Sequence, residues 1–463
     1  MKKLAVVVVG LSICLTFVTG RAEIRRTPDS GYVIVGSTRS YGSGSRDIWV
    51  VNASNEGDIL WQKAYGTDAW ESPGGLSGNI DFTDDGGYVL VGSTSPSKPD
   101  SPSSSVGSLV VRLDSEGNIV WQKKLGKEDH VCRLSAIRRT EDGEYVAAGY
   151  IGPTTPVDGA RADTDAWIVR LGGDGSLKWE RSYGGNLPDG ARYVIQTDDG
   201  GFLFVGETTR PLGQVSAGEL WVVKLTADGS VSWAKSYGEP MELEPGQFGA
   251  EIGYSVFETG QGGYTVLGTT RSFGVGGGAR GDIWIMELDS RGNVIWQKAY
   301  GGVCLEEPPV AIRLNSGGYL VGTNTTSFDP RKGAAIDRDS CGKQGTHNIW
   351  LVAIDDGGEI IWEKVYGANG INGIGGLVKT GGGNYLLRAM VSGRSRIIEL
   401  NEGGEFVGEI DYLKSAPTDV SVLGTRSNPK DTGVGPGDPD TVISPGGLEV
   451  TPADVSDIFS SDG

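Results

Sequence analysis

Short runs of alternating apolar and polar residues recur along this chain, and they come in pairs joined by tight turns. Residues 281–301, GDIWIMELDSRGNVIWQKAYG, show one pair. Residues 282–288 are dominated by β-branched and aromatic side chains, which suit a half-buried strand. The DSRGN stretch at 289–293 has hairpin chemistry, with Gly292 free to take positive φ. Residues 294–300 are the return strand, stopped by Gly301 and Gly302.

A second pair precedes each such hairpin: an apolar segment ending in Thr, a turn such as Asp-Asp-Gly-Gly, then Tyr-Val-x-Val-Gly. Six copies are clear, with second strands at 32–36, 88–92, 145–149, 202–206, 264–268 and 319–322. A seventh, degenerate copy spans 377–410, with Arg396 and Gly408 where Trp residues are expected. Four short strands repeated seven times predict an all-β chain, a seven-bladed β-propeller of four-stranded blades over residues 23–410. Such a sheet cannot bury both faces alone, so successive blades must stack. Eleven of the 12 Trp residues fall at two repeat positions. Trp49, Trp167, Trp221, Trp284 and Trp350 are on third strands; Trp61, Trp121, Trp179, Trp233, Trp296 and Trp362 are on fourth strands. This regularity predicts interblade packing. Only residues 23–27 remain for the first innermost strand, and no repeat is split between the two ends. Ring closure is therefore expected from packing, with the tail as a candidate latch.

Composition bounds the partners. A formal charge of −18 argues against nucleic acid and against an anionic membrane surface. The 76 Gly residues sit at matching turn positions, so they mark turns and not disorder. Lys2 and Lys3, the apolar run 4–18 and small residues up to Ala22 predict a signal peptide over 1–22, hence a secreted, periplasmic or cell-surface protein. No other apolar run is long enough to cross a membrane. Residues 411–463 are rich in Pro, Gly, Asp and Ser and are expected to be a flexible, disordered tail. Cys14 leaves with the signal. Of Cys132, Cys304 and Cys341, the last two fall on one face and are the candidate disulfide.

The L-D-x-x-G-x-x-x-W segments at 113–121 and 288–296, within repeats of the form GGYxxxGxT…DxW, resemble the tryptophan-docking repeat of pyrroloquinoline quinone enzymes. Over about residues 24–410 the chain is similar to secreted prokaryotic propellers of the quinoprotein alcohol dehydrogenase-like superfamily. That resemblance implies the propeller fold. Catalytic members carry eight blades and a vicinal Cys pair, whereas this chain has seven copies and no Cys-Cys. The resemblance therefore implies a non-catalytic branch with no cofactor.

Loops joining strands two and three share a face with those joining successive blades, and here they are long, at 93–107, 150–163, 207–219, 238–252 and 323–348. Ligand sites collect on such loops. Trp70, outside the repeat positions, is a candidate to stack on a sugar or anchor a partner, or else to staple its own loop. Arg39, Arg210 and Arg271 stand just past equivalent second strands. They suit a carboxylate or phosphate, or pairing with Asp47 or Asp282. His130 and His347 each lie near a single Cys, in blades on opposite sides of the ring, and no metal is expected. The acids at 163 and 165 fall short of a calcium donor set. The expected function is non-catalytic recognition of protein or carbohydrate by a monomer. The alternative is an extracellular carbohydrate-active hydrolase or lyase, which needs two carboxyls about 5–9.5 Å apart in a central pocket.

Overall fold

Each repeat folds into one antiparallel sheet whose strands follow chain order from the axis outward. Blade one comprises Glu23–Arg26, Tyr32–Thr38, Asp47–Ala53 and Ile59–Gly66. Blade three is His130–Arg139, Tyr145–Pro153, Asp165–Leu171 and Leu177–Tyr183; blade four is Gly190–Gln196, Phe202–Leu212, Val215–Leu225 and Val231–Tyr237. Blade five is Ile252–Glu258, Tyr264–Thr270, Asp282–Leu288 and Val294–Gly301; blade six is Val310–Arg313, Tyr319–Thr325, Asn348–Ile354 and Ile360–Gly367. Blade two differs in that its innermost strand is split into Trp70–Pro73 and Ile80–Phe82, ahead of Tyr88–Ser95, Gly107–Leu113 and Ile119–Gly126. Blade seven has Gly373–Lys379, Tyr385–Val391 and Arg394–Leu400, and a Leu400–Phe406 bridge where the fourth strand was expected. These coordinates are a computed structural model. It describes residues 23–452 apart from loop stretches, the longer being 96–105, 155–162, 239–250, 274–280, 330–333, 336–340, 342–346, 368–372 and 409–413, and apart from the links between tail strands. The predicted signal peptide, 1–22, and residues 453–463 lie outside the described residues.

The sheets form a closed seven-bladed propeller. Among the described residues, one buried apolar cluster fills each of the seven junctions between successive blades. The third-strand indoles Trp49, Trp167, Trp221, Trp284 and Trp350 are buried in these clusters. The fourth-strand indoles are half-buried and reach across to the next blade. Trp61 lies against Gly117 so closely that a Cβ there would be 2.7 Å from its ring, and its Nε1–H donates to Ser115 O at 2.9 Å. Trp121 on Gly175, Trp233 on Gly292, Trp296 on Gly358 and Trp362 on Gly404 repeat the contact. The Tyr four residues later adds a second tie: Tyr65, Tyr237 and Tyr300 donate to the carbonyls of Gly117, Gly292 and Gly358 at 2.6–2.7 Å. The glycines take φ near +75°, which a side chain resists, so both conformation and space demand glycine. At the seven–one seam Gly408 replaces the indole, and closure relies on Ile24, Ile34, Trp49 and Val51 packing with Val378, Leu386 and Ile397.

The described tail residues pair with the blades' outer strands. Lys414–Pro417 pairs with the outer strand of blade six, Ser421–Gly424 with blade five, Lys430–Asp431 with blade four, Pro436–Gly437 with blade three, Val442–Pro445 with blade two and Glu449–Pro452 with blade one. The tail thus runs round the outside in reverse blade order. An outer strand presents unpaired N–H and C=O groups to any backbone. Pairing of two to four residues at a time needs no apolar period, so composition does not announce it.

Candidate functional site

The site is made by irregularities in the innermost strands. Register shifts leave one extra residue in blades three, four, five and seven: Ser135, Arg192, Tyr254 and Gly375. A bulge bends its strand and re-aims the extra side chain. It also presses a carbonyl onto the second strand, which accounts for the closing glycine of Tyr-Val-x-Val-Gly. A Cβ on Gly149 would meet Arg133 O at 1.8 Å, and one on Gly206 would meet Gly190 O at 1.9 Å. In blade two the strand breaks instead, and residues 74–79 lean on blade three: Gly75 N–H donates to Ser135 O and Ile137 N–H to Gly78 O, both at 2.7 Å.

Ser135, Arg192 and Tyr254 line a cavity of about 430 Å³ on the long-loop face, together with Ser37 and Arg46 of blade one and Ser72 and Ser77 of blade two. Arg46 is placed by a parallel bridge to Trp70 and by Glu71 N–H donating to its carbonyl at 2.8 Å. Its guanidinium sits 4.8 Å from the Trp70 ring centroid, and that of Arg39 sits 5.5 Å from the same ring. Both are within cation–π reach. Burial, with the like charge of Arg39 added, lowers the proton affinity of Arg46. Arg192 donates through Nη2 to Glu207 at 2.5 Å, and its Nε–H is buried without a hydrogen-bond partner among the described residues. Burial works against the Arg192 charge, but Glu207 outweighs it and the pKa is raised.

The predicted site residues are only partly brought together. Trp70 is in a strand, paired with Ser95, and not in a loop; its ring serves the two guanidiniums. Arg39 is exposed beside it. Arg271 donates its backbone N–H to Glu251 at 3.1 Å and is not in the described cavity lining. Arg210 pairs by backbone with Ala217, and its side chain lies outside the described residues. Sequence reasoning missed Arg46, Arg192 and Tyr254. The available signal was the strand glycine at 149, 206 and 268, since an isolated glycine in a strand marks a bulge or close approach next door.

Buried acids hold the surrounding loops. Asp189 accepts from Gly185 N–H (2.8 Å) and Thr209 N–H (2.9 Å); Glu306 accepts from Gly302 N–H (3.3 Å) and the Thr325 hydroxyl (2.8 Å). Each faces an acid at the start of the preceding third strand. Burial, with Asp163 and Asp189 adding, pushes Asp165 up to about 6. Burial and Asp282 push Glu306 well above the usual carboxyl range. Cys304 and Cys341 are joined by a disulfide, which ties a blade connection to the long blade-six loop. Cys132 is a free, buried thiol raised to about 11 by burial.

No family profile matches this chain, and no curated protein does. Among solved structures it is similar to a protein of unknown function from Dyadobacter fermentans, with 14% identity over 77% of this chain and 98% of that one and a TM-score of 0.40. It is also similar to the GH43 endo-arabinanase from Bacillus licheniformis, with 10% identity over 76% and 98% and a TM-score of 0.26. Neither likeness carries an argument about function.

Proposed function

We propose that this protein is an exported, non-catalytic binding module that takes a carbohydrate into the axial cavity of the long-loop face. The observation behind this reading is the lining. Bulged residues from successive innermost strands converge there, and the groups they present, with those of blades one and two, are serine hydroxyls, a tyrosine and two guanidiniums. Such groups hold a hydroxylated ligand by hydrogen bonds, and the volume is in the range of small-molecule sites. A rigid ring presents them at little entropic cost. The hydrolase alternative calls for a carboxyl pair, and the described lining contains no Asp or Glu. The docked indoles support the resemblance to quinoprotein-like propellers at the level of blade packing.

The test is a glycan array followed by calorimetry on hits, with a parallel assay for released reducing ends. Saturable binding that Ser135→Trp abolishes by filling the cavity is expected, without release of reducing ends. Reducing ends appearing with the wild type, or binding indifferent to Ser135→Trp, overturns the reading.

A further inference from the structure

The tail meets the blades in a fixed order, and no described tail strand reaches blade seven. Those strands begin at 414, 421, 430, 436, 442 and 449 and pair with blades six, five, four, three, two and one, so each step to the next blade uses six to nine residues. The next blade in that order is blade seven. A further step of the same length begins a strand at 455–458, and the sequence runs on for eleven residues past Pro452.

Blade seven is also where a sheet edge is open. Its sheet has three strands, and Arg394–Leu400 is the outermost. The chain's own return covers only the far end of that strand. Phe406 bridges Leu400, Val407 N–H donates to Glu399 O at 2.9 Å, and the chain bends at 407 and 408. Because Glu399 turns its carbonyl outward, Ile397 and Ser395 do the same, two and four positions along the strand. Among the described residues, no strand pairs with this stretch. Such an edge accepts an extended backbone by strand addition.

The residues past Pro452 suit this place. On blades one to six the tail lies outside a complete blade, and four of its six strands contain Pro, which an outermost edge tolerates. A strand added to blade seven takes the fourth place instead, beside the seam where Gly408 stands for the indole and Ile397 packs with the core of blade one. Residues 455–459 read VSDIF, with no Pro or Gly and three apolar side chains of high β-propensity. Phe459 is the one aromatic after Tyr412. The edge strand carries Arg394 and Arg396, and the segment carries Asp454 and Asp457. Opposite charges on neighbouring strands favour their pairing.

We propose that residues 455–459 supply the fourth strand of blade seven by pairing, within the same chain, with residues 394–397. The last step of the tail then covers the seven–one seam from outside, where the first innermost strand closes it from within. This docking is independent of what the cavity binds.

The experiment is hydrogen exchange on the full chain and on a chain ending at Pro452. The amides of Ser395 and Ile397 are expected to exchange roughly two- to tenfold faster in the shortened chain, the factor that one net hydrogen bond is worth, while second-strand amides stay unchanged. Equal exchange at 395 and 397 in the two chains overturns the proposal. Pairing within one chain is read by cross-linking. Arg396→Cys is combined in turn with Val455→Cys, Ser456→Cys, Asp457→Cys, Ile458→Cys and Phe459→Cys in the full chain, and the products of oxidation at low concentration are sized without reductant. A disulfide inside one chain, formed at alternate positions of the segment, is expected. Cross-links only between two chains assign the edge to a second copy and overturn the proposal, as does failure to cross-link at every position. The exchange comparison needs no side-chain substitution, so a poorly folding cysteine variant does not spoil the test.

Discussion

Replacing Gly117 with alanine places a methyl group where the Trp61 indole lies, and this exchange measures how strongly one blade is docked on the next. Gly117 has φ +75°, and its added Cβ would sit 2.7, 2.8 and 3.0 Å from three atoms of that ring. Gly86, in the same blade, has φ +79° and no atom within 4 Å of its added Cβ. The left-handed conformation costs an L-residue about 1–2 kcal/mol, and this applies to both sites. Overpacking adds roughly 1–3 kcal/mol at Gly117 alone. Gly86→Ala should therefore lose about 1–2 kcal/mol and Gly117→Ala about 2–5 kcal/mol, read from urea unfolding with unchanged m. The decisive measurement is the double-mutant cycle with Trp61→Ala. Once the ring is gone, Gly117→Ala should cost only what Gly86→Ala costs, giving a coupling of about 1–3 kcal/mol. Additive losses, or equal costs at the two glycines in the wild-type background, would refute the docking account.

Two further outcomes are expected. The acids at 165 and 306 have raised pKa values in the folded state, so the native protein binds more protons than the unfolded chain between about pH 4 and the folded values, and stability falls as pH rises through that window. Asp282→Asn removes one charge of the 282–306 pair and should flatten the decline in melting temperature from pH 4 to pH 8; an unchanged slope would exclude the pair as its source. Deleting residues 411–463 should lower the melting temperature by only a few degrees, because net backbone hydrogen bonding, about 0.5–1.5 kcal/mol each, is nearly cancelled by about 1–2 kcal/mol per residue of ordering. The larger effect should be concentration-dependent association through uncovered outer strands, seen by light scattering; a monodisperse truncated protein with an unchanged melting temperature contradicts the pairing described for the tail.

The blades were legible because their determinants are periodic. Indoles at 61, 121, 233 and 296 recur because each must land on a glycine such as 117, 175, 292 and 358 in the following unit, and that spacing shows in any self-comparison. The site was less legible because it is built where the period breaks. Arg192 and Tyr254 share the bulge position of their innermost strands but differ in residue type, Arg46 comes from a different part of its repeat, and the three meet only once the ring has closed. Trp70 and Arg39 stood out as departures from the pattern, and they do come together, but their role is to present Arg46 and not to offer an open ring. Arg271 shares its repeat position with Arg39 and lies elsewhere, since the connection before its blade is anchored by Glu251. The pairing of the described tail residues was not legible because a strand added to an existing edge is specified by the edge, not by its own residues.

That tail gives the ring a second, incomplete band. Blades one to six are joined once by the chain passing from sheet to sheet, and once more by a strand laid across their rims in the opposite sense. It works as a hoop on barrel staves with its gap left at the seven–one seam, which neither the described band nor a fourth-strand indole crosses. Any outward spring is therefore directed to that one joint, which the side chains packed there hold shut.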